Sequence, residues 1–213
     1  GRPAAPGGST RSPLEVARTV LGRGRRVDAD LEVYVQFGRT VTVKVFGREV
    51  ESVTVGEPRG LGVRAVREGR VGYASTADLS AVGIDRVIAQ AADNLEATDV
   101  DPFVALPEVA PYSYPEISGL WLPGASATSL EAKSRLALEA EAAAMAVPEV
   151  AVVEQSVYSE EEAHVGIAST KGIEAEAEQS FCFNYVFAHA GHDGERQSGL
   201  GFCMGREPAE LDP

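Results

Sequence analysis

The stretch GLGVRAVREGRVGYASTADLS, residues Gly60 to Ser80, decides how the rest of the chain folds. It predicts two short strands joined by a tight turn at Glu68-Gly69, with a helix opening at Ser80. Gly60, Gly62, Gly69 and Gly72 are too many glycines for an ordinary strand pair, because each weakens pairing and costs backbone entropy. Glycines kept at that cost imply close backbone approach or a positive φ angle. Their spacing is no dinucleotide fingerprint: the third glycine is misplaced, and a strand follows where a phosphate-binding helix would start. The sequence also has no G-x-x-x-x-G-K-[ST] loop.

Upstream of the hairpin, Leu31–Phe37, Thr40–Phe46 and Val50–Val55 alternate apolar with polar residues, and turns are expected at Gly38-Arg39 and Gly47-Arg48. Period-2 patterning with β-branched residues argues for antiparallel strands with one buried face. Downstream, Ile84, Val87, Ile88, Ala91 and Leu95 form a helical stripe, so one sheet with helices on one face buries both sets. Ser12-Pro13-Leu14-Glu15 reads as a capping box opening a helix that runs to Leu21, stops at Gly22 and turns Leu14, Ala17 and Leu21 inward.

Residues 99–125 carry five prolines and the only tryptophan, Trp121. The segment is too apolar for a free linker and reads as a long ordered connection. Tyr112, Tyr114 and Trp121 could anchor it to the core or form a substrate or partner patch. Thr128-Ser129-Leu130-Glu131 is a second capping box, opening a helix to Val147 that Pro148 stops. Its expected apolar stripe is Ala132, Leu136, Ala140, Ala143 and Val147, with Glu131–Arg135 as an i,i+4 pair. Strands follow: Val150–Tyr158 and Ala163–Ala168 as a hairpin around a solvated Glu160-Glu161-Glu162 turn, then Ile173–Ala188 and Gln197–Met204. Phe181, Phe183, Tyr185 and Phe187 would share one strand face. The expected organisation is a disordered tail (1–11), a first α+β half (12–98), the connection (99–125) and a second α+β half (126–213). The fold class is α+β, antiparallel or mixed sheets with packed helices, a loose duplication of strand-rich halves around two central helices.

Charge narrows the partners. The formal charge is −13, with residues 1–70 at 13 Lys/Arg against 8 Asp/Glu and residues 71–213 at 6 against 24. An acidic body repels phosphate backbones, so nucleic acid is not an expected partner. Arg23, Arg25 and Arg26 form either a small anion patch or a solvated helix end. No apolar run approaches the roughly 20 residues that span a bilayer, the opening segment lacks a signal-peptide core, and two cysteines make no disulfide framework. A cytoplasmic location is expected.

His189-x-x-His192-x-x-Glu195 is the one metal-like constellation, two imidazoles and a carboxylate that could leave a fourth position open on zinc. Asp193-Gly194 is instead a hairpin signal, which makes the same residues a solvated loop tip. Cys182 and Cys203 lie on the two arms of that hairpin. A turn centred between His192 and Asp193 would place them directly opposite, in aromatic surroundings that favour buried structural thiols.

The order G-x-G-V-R-A, hairpin, G-x-A-S-T-x-D-L-S resembles the N-terminal domain of the TldD/PmbA family, the modulators of DNA gyrase, and its S-T-x-D-L-S ending is most similar to the PmbA (TldE) branch. Ser169–Gly172 before an aromatic strand, Gly194-Glu195-Arg196, and Gly201 with Met204-Gly205-Arg206 extend the resemblance over residues 28–213. It implies a place in a zinc metallopeptidase complex that degrades or processes peptides. TldD-type subunits of that family carry an H-E-x-x-x-H helix that ligates zinc and polarises water. PmbA-type subunits lack it and pair with TldD-type partners. This chain has no H-E-x-x-x-H, so the resemblance implies no catalytic, cofactor-binding or metal residue here. Zinc is expected only in a TldD-type partner, with the chain as the non-catalytic member of a heterodimer, or a homodimer. Two other functions fit the residues: a stand-alone acidic protein- or ligand-binding module, and a small metalloenzyme using His189, His192 and Glu195.

Overall fold

The computed structural model describes residues 11–109, 115, 117–191 and 195–212. Helix α1 (Pro13–Arg23) precedes strands β1 (Asp30–Phe46), β2 (Glu49–Gly56), β3 (Arg59–Arg67) and β4 (Arg70–Thr76). Helix α2 (Ala81–Asp93), the single turn α3 (Gly124–Ala127) and helix α4 (Leu130–Met145) follow, then strands β5 (Val150–Ser169), β6 (Glu174–Ala190) and β7 (Gln197–Gly205). The strands hydrogen-bond in the order β4-β3-β1-β5-β6-β7, with β2 also on β1. The fold is α+β, as expected.

Residues cluster into two compact units that interleave along the chain. One gathers residues 1–38, 57–116 and 163–178, the other 39–56, 117–162 and 179–213. They do not coincide with the sequential halves on either side of the proline-rich connection.

Two expected turns are absent because the strands run straight through them. β1 continues across Gly38-Arg39, where the Gly38 N–H donates to the Pro58 carbonyl at 2.8 Å. The strand changes partner there, from β3 at Phe37↔Arg59 to β2 at Thr40↔Gly56. The buried side keeps its parity throughout: Leu31, Val33, Val35 and Phe37, then Val41, Val43 and Val45. β5 likewise crosses Glu160–Glu162 without a hairpin. The turns at Gly47-Arg48 and Glu68-Gly69 do form, with φ of 62° and 67° at the first and 50° and 76° at the second. Positive φ at both central residues is the twist-matched hairpin geometry.

In the first unit, Val16, Ala17 and Val20 of α1 pack with Leu31, Val33, Val35 and Phe37 of β1, Leu61, Val63 and Ala65 of β3, and the α2 stripe Ile84, Val87, Ile88 and Ala91 with Leu95 just beyond it. The Ser12 capping box forms as expected. α1 passes through Gly22 to Arg23, and its buried face is Val16, Ala17 and Val20, with Leu14 and Leu21 only partly covered. Arg23 pairs with Asp85, while Arg25 and Arg26 are exposed. The partnership raises the Arg23 pKa and holds the Asp85 carboxyl below its ordinary value.

The hairpin glycines divide by cause. Gly69 sits at positive φ, and a Cβ on Gly72 would lie 2.0 Å from the Ala91 carbonyl oxygen and 2.9 Å from the Leu95 nitrogen. α2 and the turn after it can approach β4 this closely only over glycine. A Cβ on Gly62, by contrast, would meet nothing nearer than the Ala74 oxygen at 3.9 Å. Gly72→Ala is therefore expected to destabilise the protein by about 1–3 kcal/mol, because backbone and not a movable side chain must yield; urea unfolding of the two proteins measures the difference.

Candidate functional site

In the second unit, α4 is one residue out of its expected phase. Its N-cap is Ser129, whose Oγ accepts from the Ala132 N–H, and not Thr128. The buried face is Lys133, Ala137, Ala140 and Glu141, so of the expected stripe only Ala140 is fully buried. Alanine burial is small, and polar contacts define how this helix lies. Lys133 Nζ, 2 % exposed, donates to Glu160 Oε1 at 2.6 Å. Arg39 reaches the same oxygen at 3.1 Å, and the Tyr158 hydroxyl donates to Glu160 Oε2 at 2.5 Å. Glu160 is 1 % exposed, so the solvated glutamate turn is corrected: it is the centre of a buried charged cluster. Around it, Glu141 accepts the Arg48 N–H at 2.7 Å, Ser156 Oγ donates to the Ala137 carbonyl, and Asn184 Nδ2 donates to the Leu136 carbonyl.

Two cations and a phenol on one carboxylate satisfy a charge that would otherwise be prohibitive to bury. Burial, and then Glu160 itself, raise the Tyr158 phenol. Burial first, and then Glu160, push the Cys182 thiol up to about 11. Glu160 has no opening to solvent, so the cluster holds α4 against the strands and presents no acid or base to a substrate.

The opposite face of β6 carries the expected aromatic row. Phe181 and Phe183 stack at 6.4 Å between centroids, Phe183 and Tyr185 at 6.3 Å, and Phe183 meets Phe202 of β7 at 5.8 Å. Across the pair, Phe183 opposes Met204, Tyr185 opposes Phe202 and Phe187 opposes Leu200. Leu200, Phe202 and Met204 are 65 %, 56 % and 59 % exposed. β7 ends the strand order. The candidate site is thus an open sheet edge flanked by an apolar row. It offers backbone donors and acceptors to an extended chain.

The register corrects the cysteine pairing. Cys182 opposes Gly205 and Cys203 opposes Asn184, so the thiols share a face two residues out of step and both are free. His189 accepts or donates at Nδ1 with Ser198 Oγ (3.0 Å) and at Nε2 with Glu154 Oε2 (2.6 Å). Glu195 is exposed, and His192, with Asp193-Gly194, lies outside the described residues. Among the described residues, no three His, Cys, Asp or Glu side chains are grouped to hold a metal ion. His164 lies instead between Glu176 and Glu178. The proline-rich connection is tied to β6 near its end, where the Ser180 N–H donates to the Leu120 carbonyl and Leu122 N–H to Ser180 Oγ. Trp121 between them is half-buried; Tyr112 and Tyr114 lie outside the described residues. No helix among the described residues is long and apolar enough to cross a membrane.

An α+β chain with one seven-stranded sheet, capped helices and an aromatic strand before its last hairpin defines a class that known proteins share. Residues 31–95 match PmbA/TldA metallopeptidase domain 1, and residues 124–212 match the PmbA/TldA metallopeptidase central domain. The chain belongs to the PmbA/TldD family. Among solved structures, it resembles a protein described as a modulator of a DNA gyrase from Thermotoga maritima (17 % identity, TM-score 0.76, covering 93 % of this chain and 44 % of that one). TldE from Thermococcus kodakarensis is similar at 15 % identity and TM-score 0.76, over 90 % of this chain and 43 % of that one. A modulator of DNA gyrase from Bacteroides thetaiotaomicron gives 15 % identity and TM-score 0.80, over 92 % and 46 %. At these identities the likeness is one of fold, and the chain spans less than half the length of each. No curated protein matches it.

Breaking the buried cluster is expected to be costly from either side. Lys133→Met should lose about 3–5 kcal/mol, whereas the Lys133→Met/Glu160→Met double variant should lose far less than the sum of the two single changes; a double-mutant cycle in urea tests this. A thiol pushed to about 11 is ionised in only roughly one molecule in a thousand at pH 8. Cys182 should therefore resist iodoacetamide in the native protein and react only on unfolding, as peptide mass spectrometry would record.

Proposed function

We propose that this chain is the N-terminal, non-catalytic region of a PmbA/TldE-like subunit in a TldD/TldE-type zinc metallopeptidase complex that degrades or processes peptides. The observation that carries it is the tandem of two metallopeptidase-family domains, residues 31–95 and 124–212. In this arrangement a TldD-type partner, paired with this subunit as a heterodimer in the cytoplasm, contributes the zinc and the attacking water. This chain contributes wall: rigid strands whose open edges can accept the backbone of an extended peptide. The S-T-x-D-L-S ending of the glycine hairpin supports the PmbA branch over the TldD branch.

The assignment makes a direct expectation. The purified chain should contain no stoichiometric zinc and cleave no peptide alone, and peptide hydrolysis should appear when a TldD-type subunit is added. Hydrolysis by the chain by itself, measured with a fluorogenic peptide library, would refute the non-catalytic role.

A further inference from the structure

His189 of β6 and Ser198 of β7 are directly opposed in the register, and β5 supplies a third side chain to the pair. His189 Nδ1 lies 3.0 Å from Ser198 Oγ, and its Nε2 lies 2.6 Å from Glu154 Oε2. A carboxylate only accepts, so Nε2 carries the ring proton and the Nδ1 lone pair faces the serine hydroxyl. Phe187 meets the imidazole edge-on, at 5.2 Å between centroids and 78° between planes, and holds its orientation. A hydroxyl, a base within hydrogen-bond reach and a carboxylate that orients the base are the parts that activate a serine.

The surroundings define what such a serine would take. On the same face, the His189–Ser198 row is followed by Phe187–Leu200 and then Tyr185–Phe202. Leu200 and Phe202 are 65 % and 56 % exposed, so an apolar lane leads away from the hydroxyl. β7 ends the strand order, so every second N–H along it has no strand partner. Ser198 and Gly199 are consecutive, and one of them therefore presents such an N–H beside the hydroxyl. A Cβ on Gly199 would meet nothing within 4 Å, so the approach from that side is clear. The formal charge of −13, with half-exposed Glu154 at the group itself, disfavours anionic acyl donors.

We propose that Ser198, His189 and Glu154 form an acyl-transfer site that hydrolyses neutral carboxylic esters with an apolar acyl chain. Ser198 Oγ attacks the ester carbonyl carbon as its proton passes to His189 Nδ1. That proton then goes to the departing alkoxide, so the alcohol leaves and the acyl group stays on Oγ. Water next gives a proton to Nδ1 while its oxygen bonds to the acyl carbon. The C–Oγ bond breaks, Oγ takes the proton back, and a carboxylic acid is released. Glu154 stabilises the imidazolium formed in each half. The acyl chain lies along Phe187, Leu200 and Phe202, and the unpaired edge N–H donates to the carbonyl oxygen as charge gathers on it. Amides, with a far poorer leaving group, are not expected to turn over on this open face, so the activity does not rest on the peptidase reading.

The full chain, purified with EDTA present and with no partner subunit added, is tested with p-nitrophenyl butyrate and with a fluorophosphonate probe. Failure here and failure of the functional proposal are thereby separable. Butyrate hydrolysis is expected, faster than that of the anionic p-nitrophenyl succinate. The probe should phosphonylate Ser198 Oγ with loss of fluoride, which peptide mass spectrometry locates. Ser198→Ala and His189→Ala should each lower hydrolysis by about a hundredfold with the thermal midpoint unchanged, and Glu154→Gln by about tenfold or more. His164→Ala, at the other imidazole set beside carboxylates, should leave it intact. An unlabelled Ser198 overturns the inference, as does hydrolysis that survives Ser198→Ala, the result a surface imidazole acting alone would give.

Discussion

A single carboxylate, Glu160, organises the second unit. Lys133 of α4, Arg39 of β1 and Tyr158 of its own strand converge on its two oxygens, and the Glu160 carboxylate could not be buried without them. Helix α4 has little apolar area to direct it, since its inward face is two alanines between a lysine and a glutamate. Dispersion alone would let such a helix rotate or slide. The ion pair at one end and the Glu141 carboxylate on the Arg48 N–H at the other fix both rotation and translation. Stability gained over a well-packed apolar equivalent is small or negative for such pairs; what they provide is a unique position. That position settles which side of β6 is sealed by α4 and which is left as the aromatic row.

The first unit solves the same problem by different means. Its helices carry true apolar stripes, Val16, Ala17 and Val20 on α1 and Ile84, Val87, Ile88 and Ala91 on α2, and its specificity comes from closeness. Gly72 lets α2 and the turn that follows it sit where any side chain would collide, and Gly166 plays a similar part beneath the start of α1. Glycine where the backbone must touch, and ionic groups where the helix is too smooth to be gripped, are two ways of removing alternatives.

What the sequence made legible follows from range. The Ser12 capping box, the glycine hairpin, the α2 stripe and the aromatic alternation of β6 depend on residues within a few positions of each other, and all took the expected form. The errors concern residues whose partners are distant. Glu160 looked like part of a solvated turn because its ligands Lys133 and Arg39 lie 27 and 121 positions away. Gly38-Arg39 looked like a turn because nothing local reveals that β1 exchanges β3 for β2 there. The buried face of α4 is hidden in the sequence because alanine and leucine signal burial locally, whereas Lys133 and Glu141 are buried through distant partners. The cysteines fell two residues out of register because the loop between them has no unique centre in sequence. Of the candidate site, the aromatic row was legible and the undefended edge beside it was not, since which strand ends a sheet is a property of the whole topology.

The interleaving of the two units bears on how the chain is made. β1, β5 and β6 each contribute residues to both units, and the first unit is not complete without residues 163–178. During synthesis its two helices and leading strands emerge early but lack the strand segments that finish their sheet until residues 163–178 have left the ribosome. Neither unit can be released as a finished product ahead of the other. Native structure in both units must therefore wait for these segments, although the hairpins of β1 to β4 can pair among themselves beforehand.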